Sequence, residues 1–304
     1  PSGRQGRLSA ATSHTGFVDQ RAVGRRFARA AASYAEGDFF AREVDRRMQE
    51  RLDFVTLEPK RILDLGCSRG GSFPGLSARY PEAELLGLDV APAMLSAGRV
   101  PRAAWQRWLG LGKNSEPLRV AGNASNLPLK SRSTAIVWSN LLLHWLDDPI
   151  PALAEAHRVL EVGGLLMFST LGPDTLRGLR VAFSDGYAHT QRFADMHDLG
   201  DMVVGCGFAD PVMDMEVITL TYEDLDALFA ELRAAGSACA MKARRHSLTG
   251  RKSWAAGLAA YEAMRKDGKL PATFEVIYGH AWKAAPKQTP DGRAIVRFDL
   301  PRKA

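Results

Sequence analysis

Residues 61–95, RILDLGCSRGGSFPGLSARYPEAELLGLDVAPAML, carry the pattern of a strand, a glycine-rich turn, a helix and a second strand. The turn holds Gly66, Gly70 and Gly71, and glycines there let the backbone come close to a ligand, while the helix start offers unpaired N–H groups. Asp89 closes the second strand about 20 residues after Gly70, where an acid can accept both ribose hydroxyls. The stretch predicts a nucleoside-binding crevice at the carboxyl ends of parallel strands.

Asp64, two residues before Gly66, distinguishes between nucleoside ligands. A dinucleotide turn must hold a pyrophosphate and needs no acid at that position. An acid beside the turn suits a ligand that carries an ammonium and a sulfonium, which is S-adenosylmethionine. The phrase LDLGCSRG (63–70) also resembles the first motif of the class I methyltransferases. A glycine turn without a ligand is the alternative, and Asp89 argues against it.

The composition indicates an ordinary soluble protein. Apolar residues make up 46% and charged residues 24% of the 304 positions, so one α/β domain with insertions can hold the chain. No apolar run approaches the ~20 residues that a membrane span needs. The three cysteines lie far apart and the seven histidines show no metal-ligand spacing. We therefore expect a cytoplasmic protein without disulfides, metal or membrane contact.

The positive charge is concentrated in one segment. Forty Lys and Arg against 34 Asp and Glu leave a formal charge of +6. Residues 233–252 contain six basic residues and no acidic one: Arg233, Lys242, Arg244, Arg245, Arg251 and Lys252. A patch of one sign favours an acidic partner or substrate, because it raises encounter rates. A solvated helix face is the alternative.

The pattern along the chain predicts a doubly wound sheet. Strands are expected at 62–65, in a segment that ends at Asp89, and at 118–121, 134–139 and 165–169, alternating with helices such as 93–99 and 152–160, with a loop at 110–116. Further strands are expected at 211–222 and 272–282, with helices at 199–206 and 225–235. The fold class is α/β, Rossmann-like, mostly parallel, and the resemblance to methyltransferases implies one antiparallel strand.

The chain is expected to form a single methyltransferase domain, 17–304, after a disordered tail, 1–16. The tail is rich in Gly, Ser, Arg and Thr without periodicity, and its Arg-rich, acid-poor composition also resembles a transit peptide. A helical pattern from 17 to 55 predicts an N-terminal lid, and residues from about 172 to 270 an acceptor and partner region. In similar methyltransferases the lid folds over the cofactor, which makes Tyr34 a candidate gate. A Tyr packed at a helix end is the alternative.

Several phrases resemble one family more closely, the malonyl-acyl-carrier-protein O-methyltransferases of biotin synthesis. They are NLLLHWLDD (140–148), STLGPDTLR (169–177), ADMHDLGD (194–201), GFADP (207–211), LTGR (248–251) and LPATFEVIYGHAW (270–282). The similarity covers residues from about 22 to 300. It implies methylation of the free carboxylate of malonyl-acyl carrier protein, with S-adenosylmethionine as the methyl donor. The carrier protein is strongly acidic, so residues 233–252 become its expected docking face on a monomer or weak homo-oligomer.

Other functions remain open at this point. The same fold could serve another acceptor, such as a small molecule, or resemble the mitochondrial complex I assembly factor that is thought to hydroxylate arginine. A cofactor-binding scaffold without turnover is a third possibility. Nucleic-acid methylation is disfavoured, because no N-P-P-Y or D-P-P-Y phrase follows the fourth strand.

The resemblance also implies roles for individual residues. His144 and Arg177 are the expected donors to the malonyl carboxylate, and Tyr34 and Trp145 the expected walls of the catalytic site. The expected cofactor-binding residues are Asp64, Gly66, Cys67, Ser68, Gly70, Asp89, Val90, Met94, Asn123, Ala124 and Asn140.

Two of these positions depart from the family pattern. Ser68 replaces the middle glycine of the turn, and it is tolerable there if its φ is negative; a positive φ predicts weaker cofactor binding. Asn123 replaces the usual acid at the third strand tip, and its amide oxygen can still accept a hydrogen bond from the adenine amino group.

Overall fold

The computed structural model describes residues 17–99 and 116–285. Seven strands form one sheet: β1 (Arg61–Leu65), β2 (Glu84–Asp89), β3 (Leu118–Ala121), β4 (Thr134–Ser139), β5 (Leu160–Leu171), β6 (Ala209–Tyr222) and β7 (Leu270–Trp282). Their order across the sheet is β3-β2-β1-β4-β5-β7-β6. The order reverses direction at β1, so the carboxyl ends of β1 and β4 border the crevice where such folds bind ligands.

The direction of the strands confirms the predicted fold class. Strands β1 to β5 pair in parallel. Strand β7 runs antiparallel to both of its neighbours, β5 and β6, so it is the one reversed strand of the sheet. The sheet is therefore Rossmann-like and mostly parallel, with a single antiparallel strand.

The α-helices of the described residues flank this sheet. They are α1 (Gln20–Ala30), α2 (Tyr34–Gly37), α3 (Phe39–Glu50), α4 (Phe73–Arg79), α5 (Pro92–Ala97), α6 (Ile150–Val159), α7 (Arg177–Ala182), α8 (Met196–Gly205), α9 (Leu225–Ala234) and α10 (Arg251–Glu262). Two short 3-10 turns occur at Arg51–Phe54 and Leu143–Trp145. None of the helices in this part of the chain combines the length and the apolar character that crossing a bilayer requires.

Most predicted elements recur with small shifts of their ends. Strands β3 and β4 have the predicted limits, whereas β5 begins five residues earlier than expected, at Leu160 rather than 165. The predicted tail, 1–16, lies outside the described residues, as does the predicted loop 110–116 except for Glu116. The predicted lid segment contains the helices α1, α2 and α3 and the 3-10 turn Arg51–Phe54.

The core lies on both faces of the sheet. All six residues of β4 are buried, which is typical of a parallel strand covered by helices on each side. Ile136 and Trp138 pack on one face together with Leu165, and Val137 packs on the other face together with Leu166. The alternation of side chains along the strands thus supplies two apolar layers to one sheet.

Candidate functional site

A cavity with a volume of about 660 Å³ lies at the carboxyl ends of β1, β2 and β4. Helices α1, α2 and α3 cover one side of it. The glycine turn after β1 forms its floor, and side chains from residues 171–193 and 229–254 line its far end. The cavity therefore joins the predicted cofactor crevice to the predicted acceptor region.

The turn after β1 requires glycine at two positions. Gly66 and Gly70 have φ angles of +79° and +85°, which side chains rarely adopt. A Cβ atom on Gly70 would lie 2.4 Å from Cδ2 of Phe73, and one on Gly66 would lie 3.0 Å from Leu142. The glycines consequently let the backbone bend beneath the cavity and leave its floor open.

Ser68 adopts the left-handed conformation as well, with φ of +52°. Its backbone N–H donates to Asp89 Oδ2 at 2.9 Å, and its side chain lies beside that of Tyr34. A non-glycine residue in this conformation costs on the order of 1 kcal/mol. The positive φ is the case for which the sequence predicts weaker cofactor binding, yet the strained residue holds the Asp89 carboxylate in place.

Asp89 is fixed from two sides at the end of β2. Its Oδ2 accepts from Ser68 and its Oδ1 accepts from the backbone N–H of Ala91 at 2.8 Å. Burial raises the pKa of the carboxyl above its usual range. Each carboxylate oxygen has a second lone pair, so a preoriented Asp89 can still accept hydrogen bonds from a vicinal diol.

Asp64 is buried beneath the turn, and its Oδ2 has no hydrogen-bond partner among the described residues. Burial raises the pKa of Asp64 well above its ordinary value, and the nearby carboxylates of Asp45 and Asp89 raise it further. Leaving such an oxygen unpaired is costly. The arrangement fits a ligand that brings a cationic donor, such as an ammonium, to this end of the cavity.

Ten of the eleven predicted cofactor-binding residues line the cavity: Asp64, Gly66, Cys67, Ser68, Gly70, Asp89, Val90, Asn123, Ala124 and Asn140. Met94 is the exception, because it is fully buried and packs beneath the lid residues Ala30 and Ala31. Asn123 Oδ1 accepts from Ser125 N at 2.9 Å.

Asn140 connects the sheet to the lid. Its Nδ2 donates to the carbonyl of Ala41 in α3 at 2.8 Å, and its Oδ1 accepts from Ser169 Oγ at 2.7 Å. Both ends of the amide are therefore engaged by the protein. The side chain positions α3 over the end of β4.

Three of the four predicted catalytic residues line the cavity: Tyr34, His144 and Trp145. His144 is only 8% exposed, and its Nδ1 lies 3.2 Å from Thr170 Oγ1. Burial lowers the pKa of His144 to about 3, so the imidazole is neutral at physiological pH. Trp145 meets Phe27 of α1 edge to face, with ring centroids 5.1 Å apart.

Arg177, the fourth predicted catalytic residue, does not line the cavity. Its side chain is 72% exposed and lies 3.6 Å from Asp174. The preceding residue, Leu176, takes the inward position instead, with φ of +52° and 9% exposure. Similarity of a short sequence segment does not show which of two adjacent residues faces the cavity, because the left-handed conformation of Leu176 changes the direction of the backbone there.

The sequence analysis missed Gln191, which lines the far end of the cavity. The side chain is 6% exposed, and its Oε1 faces the backbone N–H of Ala240 at 3.4 Å. That donor fixes the orientation of the amide, which leaves Nε2 buried without a hydrogen-bond partner among the described residues. No periodicity marks Gln191, because it lies between α7 and α8 in a stretch without regular structure.

The aromatic walls of this end come from segments that the sequence alone does not bring together. Phe193 lies 5.9 Å from the His144 ring, and Trp254 packs between Phe183 and Phe229 at 5.3 and 5.7 Å. These rings come from four separate segments of the chain. Only the folded structure brings them together.

The six basic residues of 233–252 have different surroundings. Arg244 pairs with Asp19 at 3.0 Å and Arg245 with Asp185 at 3.1 Å. Arg233 lines the cavity, and the remaining three are exposed: Lys242, Arg251 and Lys252. In residues 17–99 and 116–285, no group of three or more His, Cys, Asp or Glu side chains is placed to hold a metal ion.

Comparison with known proteins assigns residues 63–168 to a family described as "Methyltransferase domain". The malonyl-[acyl-carrier protein] O-methyltransferase of Gallionella capsiferriformans is 46% identical over 282 residues, covering 92% of this chain and 96% of that protein. The protein of the same name from Laribacter hongkongensis is 47% identical over 287 residues, covering 93% and 96%. The crystal structure of YcgJ from Bacillus subtilis is 15% identical, covers 80% of this chain and 99% of that one, and matches its fold with a TM-score of 0.54.

Proposed function

The chain belongs to the malonyl-[acyl-carrier protein] O-methyltransferase family, and we propose that it methylates the free carboxylate of a malonyl group carried by acyl carrier protein. The cofactor is S-adenosylmethionine, which when bound supplies an electrophilic methyl group on a positively charged sulfur. The proposal rests most strongly on the layout of the cavity. One end holds Asp89, which is oriented to accept from a diol, and Asp64, which has an unpaired buried oxygen. The other end is lined by neutral hydrogen-bond donors and aromatic rings.

The residues of the crevice fit this cofactor. Asp64 supplies the unpaired oxygen that the ammonium of the methionine part requires, and Asp89 supplies two fixed oxygens for the ribose hydroxyls. The amide of Asn123 stands at the tip of β3, where the adenine is expected. Tyr34 lies beside Ser68 and lines the cavity with it, so it is placed to cover the turn. These assignments extend the sequence predictions, with Met94 acting as packing beneath the lid.

The acceptor needs orientation rather than deprotonation. A malonyl carboxylate is already ionised at neutral pH, so a general base has no proton to remove. A neutral His144 agrees with this requirement, because it can donate one hydrogen bond without adding charge. Trp145 and Phe193 form walls that exclude water from the reacting atoms.

Gln191 replaces Arg177 as the proposed second donor to the carboxylate. An arginine would bind a carboxylate oxygen by a charge-assisted pair and thereby stabilise the ground state that must lose its charge during methyl transfer. The amide Nε2 of Gln191 is a neutral donor, and it has no other partner among the described residues.

The carrier protein is proposed to dock at the basic segment defined by residues 233–252. Four of its cations are exposed, Arg233, Lys242, Arg251 and Lys252, and Arg233 also lines the cavity. The carrier's prosthetic arm would then enter beside Trp254. Free cysteine thiols at positions 67, 206 and 239 are compatible with a reducing cytoplasm, where we propose that the protein acts.

The proposed function is tested by incubating the purified protein with malonyl-acyl carrier protein and isotopically labelled S-adenosylmethionine, and weighing the carrier by mass spectrometry. The carrier is expected to gain the label with the wild-type protein. Asp89→Ala is expected to abolish both the gain and cofactor binding in calorimetry. A carrier that stays unlabelled while the cofactor binds normally would remove the proposal.

A further inference from the structure

Helix α1 presents two different faces. Its inner face holds Val23 and Phe27, which line the cavity. Its outer face holds Arg21, Arg25 and Arg29, spaced four residues apart and exposed to solvent. We call these three residues the arginine stripe. The helix therefore carries a row of positive charge directly above the wall of the active site.

The arginine stripe makes no ion pair within residues 17–99 and 116–285. Asp19 attracts Arg25 electrostatically, but its carboxylate is bonded to Arg244 and to the backbone N–H of Ala22. Like charges four residues apart destabilise a helix. The stripe is thus a charged surface that the fold itself does not use.

The arginine stripe adjoins the basic segment. Val18, just before α1, pairs with Met241 of the segment as an isolated antiparallel bridge. Lys242 N donates to the carbonyl of Phe17 at 2.7 Å, and Asp19 pairs with Arg244. Phe27 packs beside Gly236 at the start of the segment. Helix α1 consequently lies against residues 236–244, and the two sets of cations border one cavity.

We propose that the arginine stripe is part of the surface on which the acidic carrier protein docks, so that docking holds the lid closed over the cavity. The proposal rests on the proposed function and goes beyond it, because it assigns the lid helix a role in partner binding. Charge complementarity identifies the occupant: a row of unpaired arginines beside exposed lysines suits a protein surface rich in carboxylates.

The packing of α1 explains how docking reaches the active site. Phe27 contacts Trp145 edge to face, and Gln20 donates through Nε2 to the Trp145 carbonyl at 2.8 Å. A partner that binds the outer face of α1 therefore stabilises the position of Trp145 beside the reacting carboxylate. A small thioester without a protein carrier contacts the cavity but not the stripe.

The test compares two variants with equal loss of charge. One is Arg21→Gln, Arg25→Gln, Arg29→Gln. The matched control is Lys60→Gln, Lys130→Gln, Arg132→Gln. These three exposed cations lie at the amino ends of β1 and β4, whereas the cavity lies at the carboxyl ends. For each protein, binding of malonyl-acyl carrier protein is measured by calorimetry, and KM is measured for that carrier and for malonyl-pantetheine.

We expect the stripe variant to bind the carrier about tenfold more weakly and to show a similar rise in KM for it. Its KM for malonyl-pantetheine, its affinity for S-adenosylmethionine and its thermal stability should match those of the control. If both variants bind the carrier equally well and the wild-type protein methylates it, the docking role of the lid is overturned but the proposed function is not. A wild-type protein that neither binds nor methylates the carrier would overturn the proposed function together with it.

Discussion

At the scale of single residues, the Oδ2 atom of Asp64 links stability to function. The oxygen is buried without a protein partner, and burial raises the pKa of the carboxyl. The protonated form is therefore favoured in the folded protein relative to the unfolded chain. Stability from this group is present at low pH and is lost as the pH rises through the raised pKa. The bound ammonium of the cofactor reverses that preference, because it stabilises the ionised form.

Asp64→Asn is expected to weaken S-adenosylmethionine binding about 100-fold, because a charge-assisted hydrogen bond is lost. The same variant should raise the melting temperature of the cofactor-free protein at neutral pH. Lowering the pH from about 7 to about 5 should weaken cofactor binding by the wild type and change the variant little. Calorimetry at each pH measures this, and an identical pH dependence in both proteins would contradict the role of Asp64.

Gln191→Leu keeps the approximate size of the side chain and removes the unpaired donor. Its KM for the malonyl substrate is expected to rise about tenfold, while the affinity for S-adenosylmethionine stays unchanged. Gln191→Glu should be worse, because it places a second carboxylate near the first. Steady-state kinetics with both variants measures the effect. Wild-type kinetics in both would show that the malonyl group binds elsewhere.

A site residue can be predicted from the sequence when a suitable side chain lies at a position fixed by a recognisable strand or turn. Asp64, Asp89 and the glycines are recognisable because a strand, a turn and a fixed spacing place them together. Arg177 was placed in the site by phrase similarity, but the structure exposes it to solvent. Gln191 carries no local signal at all, because its environment is made by Ala240, nearly fifty residues away.

At the scale of secondary-structure elements, the buried Asp45 holds the lid to the sheet. It lies in α3, where its Oδ1 accepts from Ser72 Oγ at 2.6 Å and from Trp138 Nε1 at 3.0 Å, and its Oδ2 accepts from Gln49 at 2.5 Å. These contacts connect the lid with β4 and with the start of α4. The lid is therefore anchored through a polar network as well as through apolar packing.

Asp45→Ala is expected to lower the free energy of unfolding by about 2–4 kcal/mol, because it leaves buried donors without an acceptor. Cofactor affinity should fall with it, since α3 covers the crevice. Denaturant unfolding monitored by fluorescence measures the first effect, and Glu50→Ala, on the exposed face of the same helix, is the control. Equal stability of the two variants would exclude an anchoring role for the network.

The sequence predicts the elements unequally. Strands such as β4 are recognisable because burial on both faces requires a continuous apolar run. The pattern of residues 17–55 predicts a helical lid, but the separate helices α1, α2 and α3 make contacts with α5, β5 and residues 236–244 that the pattern does not show. The spacing of apolar residues therefore predicts that the lid is helical but does not predict where one helix ends and the next begins.

At the scale of the whole molecule, the positively charged segment, residues 233–252, borders the cavity. Of the basic segment, Lys242, Arg251 and Lys252 are exposed, whereas Arg244 and Arg245 are engaged in ion pairs. The linear run of six cations in the sequence therefore overstates the charge that a partner meets. Leu248, which lies between Lys242 and Arg251 in the chain, is 96% exposed.

Arg251→Gln combined with Lys252→Gln is expected to raise KM for the carrier protein about fivefold at low salt and progressively less as salt is added, because exposed charges are screened. The value of kcat should stay constant, since neither residue lines the cavity. Kinetics across a salt series measures the trend. A KM that is independent of both the substitutions and the salt concentration would place the docking face elsewhere.

We propose that the cavity presents a free carboxylate to the methyl group of the cofactor. Tandem mass spectrometry of malonyl-acyl carrier protein and acetyl-acyl carrier protein, after incubation with the protein and labelled S-adenosylmethionine, tests this arrangement. One labelled methyl is expected, as an ester on the terminal carboxylate of the malonyl group, and none on the acetyl carrier. Label at any other atom, or equal labelling of the two carriers, would contradict it.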